Sequence, residues 1–280
     1  MDRAELLGQE KIHKLLIKFS IPTIIGMLVN ALYNIVDRIF IGHGVGSLAI
    51  AGITVGFPAM IICMAFAMLI GFGGTALISI RLGQQRQKDA ELIMGNGVTL
   101  LIIVPLLVSL IGLLFLKPLL IFLGASPEVL PYAISYLRII LYGNVLMSVE
   151  LGMNNFIKAE GNPKIAMLTM LIGAITNVVL DYIFIFIFNW GIEGAAYATI
   201  IAQGVSAVWV ILYFLSGKSL LKIKKDNLRL QLPTVLEILA TGSAPFAMQL
   251  ASSLLNAILN SSLSKYGGDI AIASMGIVNS

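Results

Sequence analysis

Long apolar runs separated by short polar breaks dominate this chain. Breaks at clusters of charged residues, Gly, Pro and Asn delimit apolar segments at 15–41, 50–80, 92–116, 131–157, 165–188, 193–216 and 234–263, and an eighth begins near 269. Each of the seven reaches or exceeds the roughly 20 residues that a helix needs to cross a bilayer. The pattern predicts an all-α polytopic membrane protein. The first 20 residues are charged throughout, and the apolar run behind them is too long for a cleavable signal. They read as a short amphipathic lead-in lying on the membrane surface.

Lys and Arg set the orientation. With the N-terminus inside, the inner segments hold Arg3, Lys11, Lys14, Lys18, Arg81, Arg86, Lys88, Lys158, Lys164, Lys218, Lys222, Lys224, Lys225 and Arg229, out of 18 basic residues in all. The outer side keeps Arg38, Lys117, Arg138 and Lys265. This asymmetry predicts a multi-pass protein of the cell (inner) membrane with a cytoplasmic N-terminus. It also explains the net charge of +4 without a nucleic-acid partner. The basic stretch at 218–229 reads as a solvated linker.

The first span recurs in the seventh. SIPTIIGMLVNALYNIVDRIF from Ser20 aligns with SAPFAMQLASSLLNAILNSSL from Ser243, pairing Ser20 with Ser243, Pro22 with Pro245, Leu32 with Leu255 and Ile35 with Ile258. After a one-residue slip, LAIAG at 48–52 matches IAIAS at 270–274, and each follows a Gly-containing turn, GHGVG or KYGGD. Repeats of this kind build many transporters, and a complete pair would need about 440 residues and twelve spans. The expected organisation is therefore a six-helix lobe over 1–217, a cytoplasmic basic linker over 218–233, and the start of a pseudo-symmetric second lobe over 234–280 that stops short. In this alignment Asp37 faces Asn260, so the acid belongs to the first lobe alone.

Composition narrows the chemistry. The chain is 58% hydrophobic and 11% charged, with a mean hydropathy of +0.96. One cysteine, Cys63, and two histidines, His13 and His43, leave no disulfide framework and no metal-binding pair. No nucleophile–base pair is visible, so an enzyme is not expected.

Against this background the buried acids stand out. Asp37, Glu150 and Asp181 are embedded in apolar runs, where a carboxylate costs roughly 2.5–3.5 kcal/mol at a helix centre. Asn177 lies four residues before Asp181, Glu150 four before Asn154, and Tyr33 four before Asp37, so each pair shares a helix face. With Thr199, four helices can turn a polar stripe toward one cavity. A proton site wants a carboxyl group whose neutral form desolvation favours, whereas a sodium site wants a carboxylate plus neutral oxygens, here at Asp37, Asp181 and Asn177. The plainer alternatives are Asn and Thr that only bond a neighbouring helix, and an Asp37–Arg38 ion pair. Adjacent helical residues diverge by about 100°, which disfavours that pair. Depth is a further difficulty, since on straight helices Asp181 lies about 24 Å from Ile165 while Asn154 lies about 6 Å from Lys158.

Together these segments resemble the multidrug and toxic compound extrusion (MATE) transporters. The resemblance rests on SIPTIIGMLVNALYNIVDRIFIG, ISIRLGQQRQKDAE, KAEGNPKIAM, NVVLD and GAAYATIIAQ, in this order and spacing. It implies two six-helix bundles around a central cleft, working as a monomer in the lipid bilayer. Amphipathic, often cationic organic compounds would leave in exchange for H+ or Na+, with no other cofactor. By motif, it places cation coupling at Asp37, Asp181, Asn177, Asn154 and Thr199, and a bending proline at Pro22. Glu150 and Tyr33 are additional candidates near the substrate path. The alternatives are a lipid-linked precursor flippase of related architecture, which would want a basic cleft, and an inactive partial chain.

Overall fold

The computed structural model describes residues 12–278, the side chain of Leu15 excepted. Of the lead-in predicted over the first 20 residues, 1–11, with Arg3 and Lys11, lie outside the described residues, as do the last two positions, while 12–20 are continuous with the first spanning helix. Helices account for nearly all of the rest: α1 (Ile12–Gly44), α2 (Ser47–Gly83), α3 (Gln87–Leu114), the short α4 (Leu116–Phe122), α5 (Leu130–Ala159), α6 (Pro163–Asp181), α7 (Gly191–Leu215) and α8 (Leu232–Val278). A π-helical turn at Tyr182–Ile187 extends α6, and a 3-10 turn at Lys225–Leu228 interrupts the linker. Seven of the described helices are long and apolar enough to cross a membrane.

Proline chemistry explains where the segments end. The third apolar segment is expected to reach residue 116, but α3 stops at Leu114. Continuing it would drive the Pro118 ring into the Leu114 carbonyl four residues back, so the chain breaks at Phe115 and restarts as α4. Pro163 opens α6 from within its first turn, where no donor is missed. Pro22 lies inside α1, which runs through it without a break.

The repeat is visible in the backbone. The predicted seventh and eighth spans meet inside α8 at Gly268, whose φ of 65° is non-helical. Its sequence counterpart is Gly46, with φ 111°, between α1 and α2. Both aligned positions thus turn at a left-handed glycine, a conformation that side chains disfavour.

Helix α2 is the packing centre, lying against α8, α5 and α3, while α5 also packs on α7 and α1 leans on α6. Two apolar clusters fill the bundle. One gathers Ile41, Ile53, Leu120, Leu137, Ile185 and Ile272; the other gathers Ile70, Met94, Leu101, Met153, Phe156 and Ile238. Where α2 meets α8, Gly73 lies on the Ile238 carbonyl and Gly242 on the Leu69 carbonyl, with no room for a methyl group at either. Small residues at such seams let membrane helices approach closely.

The linker departs from the solvated strand that its charge suggests. Its lysines are exposed, but its backbone is held by α3. The Asn96 amide donates to the carbonyls of Asn227 (3.1 Å) and Arg229 (3.3 Å), and its oxygen accepts from the Gln231 N–H at 2.7 Å. Thr99 donates to the Leu228 carbonyl at 2.8 Å. The buried Glu91 pairs with Lys224, and the buried Glu160 takes Tyr213, Ser219 and the Leu220 N–H. An unpaired buried backbone group is costly, and this segment's carbonyls find partners in α3 where water would otherwise serve.

Candidate functional site

The predicted polar stripes do converge. A cavity of about 120 Å³ lies between α1, α5, α6 and α7, and Tyr33, Glu150, Asn154, Asn177 and Thr199 all line it. Asp37 and Asp181 are not among its lining residues. They are buried at 9% and 0% exposure, and Asp181 lies one turn beyond Asn177 on α6. Their side chains lie within hydrogen-bonding reach of one another. Two ionised carboxylates cannot make that bond, because each only accepts. A hydrogen bond between them therefore requires that one of the two hold a proton.

The oxygens here are short of donors. Asp37 Oδ1, both carboxyl oxygens of Asp181, Asn177 Oδ1 and Asn154 Oδ1 are buried without a hydrogen-bond partner. Thr199 orients part of the set: its hydroxyl donates to the Ala195 carbonyl at 3.0 Å and accepts from Asn177 Nδ2 at 3.5 Å. That contact fixes the amide and leaves its oxygen free. Buried acceptors facing no donor are expensive, and a proton or a small cation would relieve them. Two carboxyls and neutral amide oxygens also suit Na+, a hard cation that prefers oxygen.

Arg38 does not pair with Asp37 among the described ion pairs. It reaches across to α2 and donates to Thr54 Oγ1 at 3.4 Å, as expected from the 100° divergence of neighbouring helical positions. The difference in depth between Asn154 and the α6 polar residues is spanned as far as Asn177, one turn short of Asp181. The cavity runs as a column along α5 and α6, from Lys158 and Met170 to Asn177. Lys158, expected among the inner loop charges, belongs to α5, lines this column and donates to Asn155 Oδ1 at 3.1 Å.

Sequence reasoning missed Tyr136. It is buried on α5 within electrostatic range of Asp37, Asp181 and Tyr33. The signal was present, since Tyr136 precedes Glu150 by two heptads and so shares its face. A second, larger hollow of about 550 Å³ is walled by Phe184, Trp190, Glu193, Tyr197 and Ile201 and shares no residue with the column. Its Trp and Tyr suit a membrane–water interface.

A bundle of membrane-spanning helices around a polar, acid-bearing column defines a multi-pass membrane protein. The profile of the MatE family matches residues 22–183, more than half of the chain, and the chain belongs to that family. The chain is 30% identical over 269 residues to the multidrug export protein MepA of Staphylococcus aureus, an alignment covering 95% of this chain and 59% of the relative. To MepA of Staphylococcus saprophyticus it is 28% identical, with 96% and 59% covered. Among solved structures, the MATE multidrug transporter DinF-BH superposes with a TM-score of 0.93 at 40% identity, covering 99% of this chain and 62% of that one. The chain therefore spans about three fifths of the length of the relatives that it matches.

Proposed function

We propose that this chain carries the cation-coupling lobe of a multidrug efflux antiporter, which exports amphipathic or cationic organic compounds in exchange for H+ or Na+. The observation that supports it most directly is the Asp37–Asp181 pair, buried beside amide oxygens that lack donors. Uptake of one cation satisfies that set, and its release recreates the deficit. The site's free energy therefore changes steeply with occupancy, which is what a coupled carrier requires. Asn177, Thr199 and Asn154 orient and extend the acceptor set. Glu150 and Tyr33 line the same column and serve as auxiliary groups beside the cation's path.

Size separates the two tasks. Pockets for drug-sized ligands run to roughly 300–1,000 Å³, so the 120 Å³ column suits an ion and a few waters. The compound itself would bind where the two lobes face each other. Pro22 supplies the point at which α1 can bend as the site loads, because its ring removes one helical hydrogen bond. The Lys and Arg asymmetry supports a cytoplasmic N-terminus.

The test is Asp181→Asn in protein expressed from its complete reading frame. In proteoliposomes with proton and sodium gradients imposed separately, the variant should insert normally and lose gradient-driven efflux of a fluorescent organic cation. Wild-type efflux in that variant would remove the mechanism. The gradient that drives the parent protein identifies the coupling ion.

A further inference from the structure

Asn260 is the position that the repeat sets opposite Asp37, and it has a structural task of its own. Pro58 lies inside α2 and has no N–H, so the Thr54 carbonyl one turn back loses its helical donor. Asn260 supplies the replacement from α8: its Nδ2 donates to the Thr54 carbonyl at 2.9 Å. One turn along α2, Ser253 donates to the Pro58 carbonyl at 2.8 Å. The order is antiparallel, and both donors are buried.

Thr54 meets α1 as well. Its hydroxyl donates to the Ile50 carbonyl at 2.8 Å and accepts from Arg38 at 3.4 Å, which uses both roles of a hydroxyl. Gly276, beyond the turn at Gly268, packs directly on Thr54 and Arg38 without room for a side chain. Ser126 holds the same turn by donating to Asp269 Oδ2 at 2.9 Å. One residue thus joins three helices, and its α1 partner is the sequence neighbour of Asp37.

We propose that Thr54 is the positioning residue that couples the acid pair to the α2–α8 seam. Arg38 answers to two influences: its hydrogen bond to the Thr54 hydroxyl, and the charge of Asp37, which acts through space because the 100° divergence keeps the two from pairing directly. When Asp37 carries charge, Arg38 is drawn toward it and its hold on Thr54 slackens. When the pair is neutralised, Arg38 returns to Thr54 and steadies the segment of α2 that Asn260 grips. Loading of the site is thereby read at the seam between the first lobe and the helix that opens the second. This rests on the coupling function assigned above to Asp37 and Asp181.

The experiment measures the seam directly, without transport. Exposed Ser47 and Lys265 are converted to cysteine in a Cys63→Ala background, spin-labelled in the protein from its complete reading frame, and their separation is read by pulsed EPR. Asp37→Asn, a permanent neutral mimic, should shift that distance distribution. Thr54→Val keeps the carbonyl gripped by Asn260 but loses the hydroxyl, and it should abolish the response to Asp37→Asn. Thr54→Ser should restore it, which a purely structural role for the residue would not explain. Asn260→Leu should broaden the distribution whatever stands at position 37. In transport, Thr54→Val should lower efflux by about tenfold while binding of the fluorescent cation stays at the parent level. A full response to Asp37→Asn in Thr54→Val, or none in the parent, overturns the proposal. Loss of the antiporter reading would appear instead in Asp181→Asn efflux, independently of the EPR result.

Discussion

Asn96→Leu should release the linker from the membrane domain. The side chain is fully buried and makes three of its hydrogen bonds to linker backbone, at Asn227, Arg229 and Gln231. Leucine fills similar volume, so the change tests the bonds rather than a cavity. At about 1 kcal/mol net for each bond, the docked linker loses about 3 kcal/mol. Each 1.4 kcal/mol is about tenfold in the opening equilibrium, so hydrogen exchange over 220–231 should accelerate by about a hundredfold. The amide of Asn227, bonded to the Lys224 carbonyl at 3.1 Å, is a suitable reporter, and peptides from the middle of α5 should not change. Gly95→Ala approaches the same point sterically, because a methyl group there collides with the Asn227 carbonyl. Exchange over 220–231 unchanged in both variants would mean that the linker is already solvated, and the docking account would fall.

Two further perturbations separate strong contacts from weak ones at the α2–α8 seam. Arg81 and Glu237 bond at 2.7 Å, but their side chains keep 22% and 42% exposure, so Glu237→Gln should cost less than about 1 kcal/mol and lower the melting temperature by no more than about 3 °C. A far larger drop would show that this pair anchors the seam. Gly242→Val has no space against the Leu69 carbonyl and should cost about 1–3 kcal/mol through overpacking. A drop in monodisperse yield in detergent checks it, and a parent-like chromatographic profile and melting temperature would contradict it.

The spans and the polar stripes were legible because both follow from periodicity. Apolar length alone located the seven spans, and four-residue spacing put Asn177 with Asp181 and Glu150 with Asn154. What escaped depends on contacts between distant segments. Charge counting made 218–229 a free linker, because nothing in KSLLKIKKDNLR reveals that Asn96 and Thr99, more than a hundred residues earlier, hold its carbonyls. Counting likewise put Lys158 in a loop, although its stem lies on α5 and its side chain lines the column. The π-helical turn after Asp181 has no signature in YIFIFI, a run as compatible with an α-helix. The wider turn begins at the residue following the acid, a placement common for such turns at functional sites.

The repeat also accounts for its own asymmetry. Asp37 and Asn260 occupy equivalent places on two matching helices, and each is buried, yet their neighbours impose different chemistry. Beside Asp37 stands Asp181, so in the proposed coupling the carboxyl there shares or surrenders a cation. Beside Asn260 stands a carbonyl freed by Pro58, which needs a donor at all times. An ionised aspartate at 260 has no proton to give and would face that carbonyl oxygen with its own charge, whereas an amide serves permanently. Asparagine at 37 would in turn fix the acid pair in one charge state. On the coupling proposed above, the two positions differ because one responds to an ion and the other holds a helix whatever the ion does.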